Sequence, residues 1–228
     1  MTERGRSKMV RGGDELPRFG RDLGRVSGYT TDDQEVAARV FAPLRIAGDS
    51  YVSWGSVADA CGLALDGNLR WSELRRHLGG SSRLWPRPQA GTLDLDTIIR
   101  LMTVLAESTQ VTDCTRFVLW EGYGGELLTG TPPGSVPISR SGGTFLQHMG
   151  ACRLTVTELR WAETRSDEAG FRFPVAIWPA DKSFVLAMPI YHDSIWLSCS
   201  RDTYAALEAS GLEIAELSRH VPLPSEGD

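Results

Sequence analysis

The chain has 228 residues, 41% of them hydrophobic and 23% charged, with a formal net charge of −5. These are values of an ordinary globular protein, so a disulfide-stapled miniprotein, a collagen-like repeat and a wholly disordered chain are excluded. No uninterrupted apolar stretch approaches the roughly 18 residues of a membrane span.

Residues 1–25 hold seven Arg and Lys against four acids, so the remaining residues carry −8. Phosphate contacts need a basic face, which an acidic body does not offer, so nucleic acid is not the expected partner and a basic protein is. Met1 to Gly28 mixes Arg, Gly and acids without apolar period. It reads as a flexible tail, and it lacks the apolar run of a secretory signal, so the expected compartment is the cytoplasm. The expected organisation is a tail over 1–28, one domain over 29–220 and a polar tail over 221–228.

Thr31 can cap a helix carrying Val36, Val40 and Phe41, with Pro43 as its break. A second helix is expected from Ser53 with Trp54, Val57, Ala58 and Cys61 on one face, and a third over 68–78 through Leu69, Trp71, Leu74 and Leu78. The strongest helical period follows Asp94, where Leu95, Ile98, Met102 and Leu105 lie three or four apart.

Beyond Thr109 the pattern changes to sheet. Arg116–Trp120 is a short apolar run, and 151–159, 173–178, 183–191 and 194–199 are strand candidates separated by turn residues. Asp181, Lys182 and Ser183 make a tight turn, so 173–191 reads as a hairpin. Ser200 caps a last helix with Ala205 and Leu207 on its inner face. The expected fold class is α+β: a helical N-terminal half packed on a C-terminal antiparallel sheet with a closing helix.

The four cysteines, Cys61, Cys114, Cys152 and Cys199, have neither C-x-x-C spacing nor a neighbouring His, so they read as small hydrophobes and no metal or cofactor is expected. Glu121, Asp181, Lys182 and Asp193 fall where strands end, a common place for acid and base chemistry, yet Asp is also among the commonest turn formers. His192 beside Asp193 is half of a triad in appearance only, because neighbours on a strand point to opposite faces. Gly122, Gly124 and Gly125 follow a strand as a phosphate loop would, but no Lys-Ser/Thr follows, and a turn around Tyr123 is the better reading. Of the seven tryptophans, Trp85 beside Pro86 and Trp161 before a polar loop are candidates for an exposed binding surface, together with Tyr123.

The segments Trp54–Ala58, Leu69–Leu74, Ala106–Thr109, Leu119–Gly124 and Trp178–Lys182, with Asp193-Ser194 before a Ser-led helix, resemble an uncharacterised actinobacterial protein family over about residues 40–215. The Leu-Trp-Glu-Gly-Tyr-Gly and Trp-Pro-Ala-Asp-Lys motifs are its clearest marks. The resemblance implies a single α+β unit and, the family having no established activity, no catalytic residue to transfer. Ser198-Cys199 stands where relatives carry a Gly pair, and Ile177 where they carry an aromatic, so a ligand site built there would be altered in this chain.

The expected function is a non-enzymatic cytoplasmic protein-binding domain, with a toxin-neutralising protein of the immunity type as its specific form. The alternative is a small hydrolase or transferase using Glu121, Asp181, Lys182 and Asp193 at one end of the sheet.

Overall fold

The computed structural model describes residues 16–46, 50–79, 90–91, 93–123, 135–138, 146, 149–161 and 173–223. Its strands are β1 (Val36–Phe41), β2 (Leu44–Arg45), β3 (Tyr51–Val52), β4 (Thr115–Trp120), β5 (Val136–Pro137), β6 (Cys152–Thr157), β7 (Ala176–Pro179), β8 (Phe184–Ala187), β9 (Ser194–Cys199) and β10 (Ile214–Glu216). The α-helices are α1 (Trp54–Ala60), α2 (Trp71–Leu78), α3 (Leu95–Glu107) and α4 (Arg201–Ala209). Among the described residues, eight strands form one sheet in the order β10-β1-β9-β8-β7-β4-β6-β5, every pairing antiparallel. The fold is α+β, with most helices before the main run of strands and α4 closing it.

Successive side chains of a strand point to opposite faces, and here both faces are covered. On one face Val36, Val40, Ile177, Leu186 and Leu197 pack under α3 and α4, which contribute Ile98, Leu101, Leu105 and Leu207. On the other, Ala37, Val118, Trp178, Val185 and Trp196 pack against Leu16, Phe19, Val26 and Tyr29. A third cluster joins Phe41 and Leu44 to Trp54 of α1 and to Trp71 and Leu74 of α2.

The helices after Ser53, Asp94 and Ser200 form where their caps place them. Each side-chain oxygen accepts a backbone N–H from three residues on, Ser56, Thr97 and Thr203 respectively. α2 starts at Trp71, later than the expected 68.

Two expectations are overturned. Residues 36–41 are an interior strand of the sheet, flanked by β10 and β9 and paired with β9 from Val36↔Cys199 to Phe41↔Ser194, where a Thr31-capped helix was expected. All six are buried, so alternation is erased and the spacing of Val36, Val40 and Phe41 mimics a helix. Residues 16–28 also belong to the packed unit, where a tail to 28 was expected. Phe19 bridges Thr31, Arg25 bridges Pro222, and Val26 N–H donates to Val221 O at 3.0 Å. Residues 221–223, expected in a polar tail, likewise belong to the packed unit, Leu223 N–H donating to Gly24 O at 2.8 Å, while residues 1–15 and 224–228 lie outside the described part. β10, not anticipated, follows a glycine turn at Gly211 (φ 79°) and pairs Ile214–Glu216 with Val40–Ala38.

Candidate functional site

The strand-end residues are split between the two ends of the sheet. Thr115, the first residue of β4, is opposite Pro179, the last of β7, so the Asp181-Lys182 turn lies at the start of β4 and Glu121 lies beyond its other end. β9 starts beside the end of β8, since Trp196 faces Ala187, and Ala187 in turn faces Ala176 at the start of β7. Asp193 therefore lies at the end of the sheet where Glu121 is, but three strand spacings away, roughly 14 Å at about 4.8 Å each. Only Asp181 and Lys182 are neighbours.

Each of the four is engaged by the fold. Asp181 accepts from Ser183 N–H at 3.0 Å, Thr109 Oγ1 at 2.9 Å and Gln110 N–H at 3.3 Å. Burial acts to raise its carboxyl, but the bonds from Ser183, Thr109 and Gln110 outweigh it and hold the group below its ordinary value. Lys182 takes the left-handed position of this turn (φ 53°), its N–H bonded to Pro179 O and its carbonyl accepting from Gln34 Nε2. Glu121 accepts from Arg153 Nη1 at 3.4 Å. Asp193 Oδ1 accepts from Arg39 Nη2 at 3.2 Å and from Ser194 Oγ at 2.7 Å.

Arg39, which sequence reasoning passed over, is the most buried charge of this group. It stands on β1 between Ala37 and Phe41 with its side chain 5% exposed. Nε donates to Ser194 Oγ at 2.7 Å, Nη1 to the carbonyls of Gly67 and Leu69, and Nη2 to Asp193. Its guanidinium lies 4.2 Å from the Phe41 ring centre and 5.1 Å from that of Trp54. Burial lowers its pKa and the Asp193 charge opposes the shift. A lone Arg inside the apolar run Val36–Ala42 was the available signal. His192 is turned to its own partners: its Nδ1 accepts from Trp196 Nε1 at 3.1 Å, and its ring lies 5.0 Å from that of Tyr29.

The expected aromatic surface divides three ways. Trp85 lies outside the described residues. Tyr123 closes a 3-10 turn over Glu121–Tyr123, and its side chain is outside the described part. Trp161 is half-buried and packs edge-on against Phe117 at 5.1 Å, which makes it part of the α3-side core. Gly122 is required for packing: a Cβ there would stand 2.1 Å from the Trp120 indole.

Buried Cys152 and Cys199 have thiols pushed up to about 12, by burial first and then, for Cys152, by the Glu121 charge. Their thiolates are not available near neutral pH. Among the described residues no group of three or more His, Cys, Asp or Glu is gathered as a metal ion would need, and no helix is long and apolar enough to cross a membrane.

A cleft of about 240 Å³ opens between β3, the N-terminal turn of α3 and the α4–β10 connection. Phe41, Pro43 and Leu212 supply apolar wall, and among the described residues Asp94, Asp96 and Glu213 supply carboxylates against the single cation Arg100. Glu213 is fixed by the backbone N–H groups of Trp54 and Gly55, at 2.7 and 2.6 Å. Asp94 caps α3 with Oδ1, while its Oδ2 is buried without a hydrogen-bond partner. Comparison of the chain with protein-family models, with curated proteins and with solved structures finds no match.

Proposed function

We propose that this chain is a non-enzymatic protein-binding domain of the cytoplasm whose partner presents a basic surface, with a toxin-neutralising protein of the immunity type as the specific form. The observation that carries the reading is the fate of the strand-end polar residues. Glu121, Asp181, Lys182 and Asp193 are dispersed over both ends of the sheet and each is engaged in a turn or an ion pair. General acid-base chemistry needs groups converging on one reacting atom, and that convergence is what this set lacks.

The partner's sign follows from charge. Residues 26–228 carry −8, and complementary potential speeds encounter and excludes like-charged competitors. Affinity capture with the full chain from its source cells, followed by mass spectrometry, tests the reading. A basic protein recovered in stoichiometric amount and released by raised salt is the expected result. Recovery of an acidic partner, or turnover of a small substrate that is lost in a folded Asp181→Asn or Asp193→Asn variant, would overturn it.

A further inference from the structure

We infer that the cleft between β3, α3 and the α4–β10 connection receives an arginine or lysine side chain of the protein partner; this rests on the basic-partner reading above and names its anchor point. The cleft's size, about 240 Å³, suits one long side chain and is too small for a folded element. Its wall matches the two halves of such a side chain. Phe41, Pro43 and Leu212 offer apolar surface to an aliphatic stem, and Asp96 and Glu213 offer carboxylates to a cationic head.

The negative charge of this wall is held in place by the fold. Glu213 cannot swing away without releasing the N–H groups of Trp54 and Gly55, and it lines the same cleft as Asp94, the N-cap of α3, and Asp96 of its first turn. Asp94 adds a third carboxylate to the lining, its Oδ1 held in place by the Thr97 N–H that it caps. Tyr51, 46% exposed, stands at the rim as an aromatic face for a guanidinium or ammonium group.

Arg100 decides the sign of the test. It forms no ion pair among the described residues, and its Nη1 lies 3.5 Å from the place a Cβ on Gly211 would take, so it packs along the cleft wall as the one cation of the described lining. Removing it should strengthen binding of a cation, and removing Asp96 should weaken it. An anionic occupant would reverse both signs. Asp96 and Arg100 are exposed on α3, so neither change threatens the fold.

The probe is the capped tripeptide Ala-Arg-Ala, with capped Ala-Glu-Ala beside it, titrated into the ¹⁵N-labelled full chain. The Arg peptide should shift the amides of Tyr51, Asp96, Arg100 and Glu213 saturably. Its affinity should fall about two- to fivefold in Asp96→Asn and rise by a similar factor in Arg100→Gln, the range an exposed ion pair supplies. Preference for the Glu peptide, reversed signs in the two variants, or no saturable shift in the cleft would overturn the anchor. If the Arg peptide instead shifts amides around Asp32, Glu35 and Glu216, the anchor fails while the basic-partner reading stands. If affinity capture also yields no basic protein, both fail.

Discussion

Arg39 shows how a charge is kept inside this molecule. An ionised side chain taken out of water is tolerated only when its donors are met, and Arg39 meets an ion pair, a hydroxyl and two backbone carbonyls while its flat face lies on Phe41. Truncation removes all of these at once, taking the Arg39 donor from the Leu69 carbonyl and leaving Asp193 with Ser194 Oγ alone. Arg39→Ala should therefore lose about 3–5 kcal/mol in urea unfolding. Asp193→Asn should lose less, because an amide oxygen can still accept from Arg39; a loss under about 1 kcal/mol for Arg39→Ala would show that the network is slack.

Asp181 gives a pH-dependent counterpart. Its folded-state pKa is depressed, so it stabilises the fold above the unfolded carboxylate value, about 3.9, and that contribution fades as pH falls through the lower folded value. The melting-temperature difference between wild type and Asp181→Asn should be present at neutral pH and shrink as the pH falls below about 4. A difference that stays constant to strong acid would mean that the carboxylate's bonds to Ser183, Thr109 and Gln110 add nothing.

At the scale of elements, legibility followed the local signals. α1, α3 and α4 could be read because a Ser or Asp cap precedes a run of apolar residues spaced for one face, and the 173–191 hairpin because Asp181-Lys182 is a turn pair between apolar arms. β1 could not, since burial on both sides leaves no alternation to read. Leu16, Phe19 and Val26 were hidden for a different reason: they are sparse among charged residues, and only the second face of the sheet, built by strands far along the chain, gives them a place to pack. The candidate site was the least legible part. Sequence supplied Asp181, Lys182, Asp193 and Glu121 as strand-end residues, but which end each occupies depends on pairings such as Thr115↔Pro179 that no local pattern encodes.

Truncation tests the N-terminal segment. A chain beginning at Tyr29 should lose several kcal/mol relative to one beginning at Leu16, because burying side chains such as Leu16, Phe19 and Val26 supplies about 1.5–3 kcal/mol each. Equal melting temperatures for the two would contradict the packing of residues 16–28.

At the scale of the whole molecule, the described strand-end polar groups hold an eight-stranded sheet that is covered on both faces, and the proposed binding role falls to the surface. Both ends of the sheet are guarded against adding strands. β5 carries Pro137, which cannot donate to a further strand, and Glu216 N–H of β10 is taken by Tyr204 Oη of α4 at 3.1 Å. Among the described residues, strand addition at these two edges is thereby disfavoured. The most direct measurement is the dissociation constant of the captured partner for three full-length proteins: wild type, the double variant Asp181→Asn with Lys182→Gln, and Asp96→Asn. The double variant should bind within about twofold of wild type, as substitutions of surface turn residues usually do, while Asp96→Asn should bind more weakly. Loss of binding or of biological activity in a well-folded double variant, with Asp96→Asn unchanged, would contradict it.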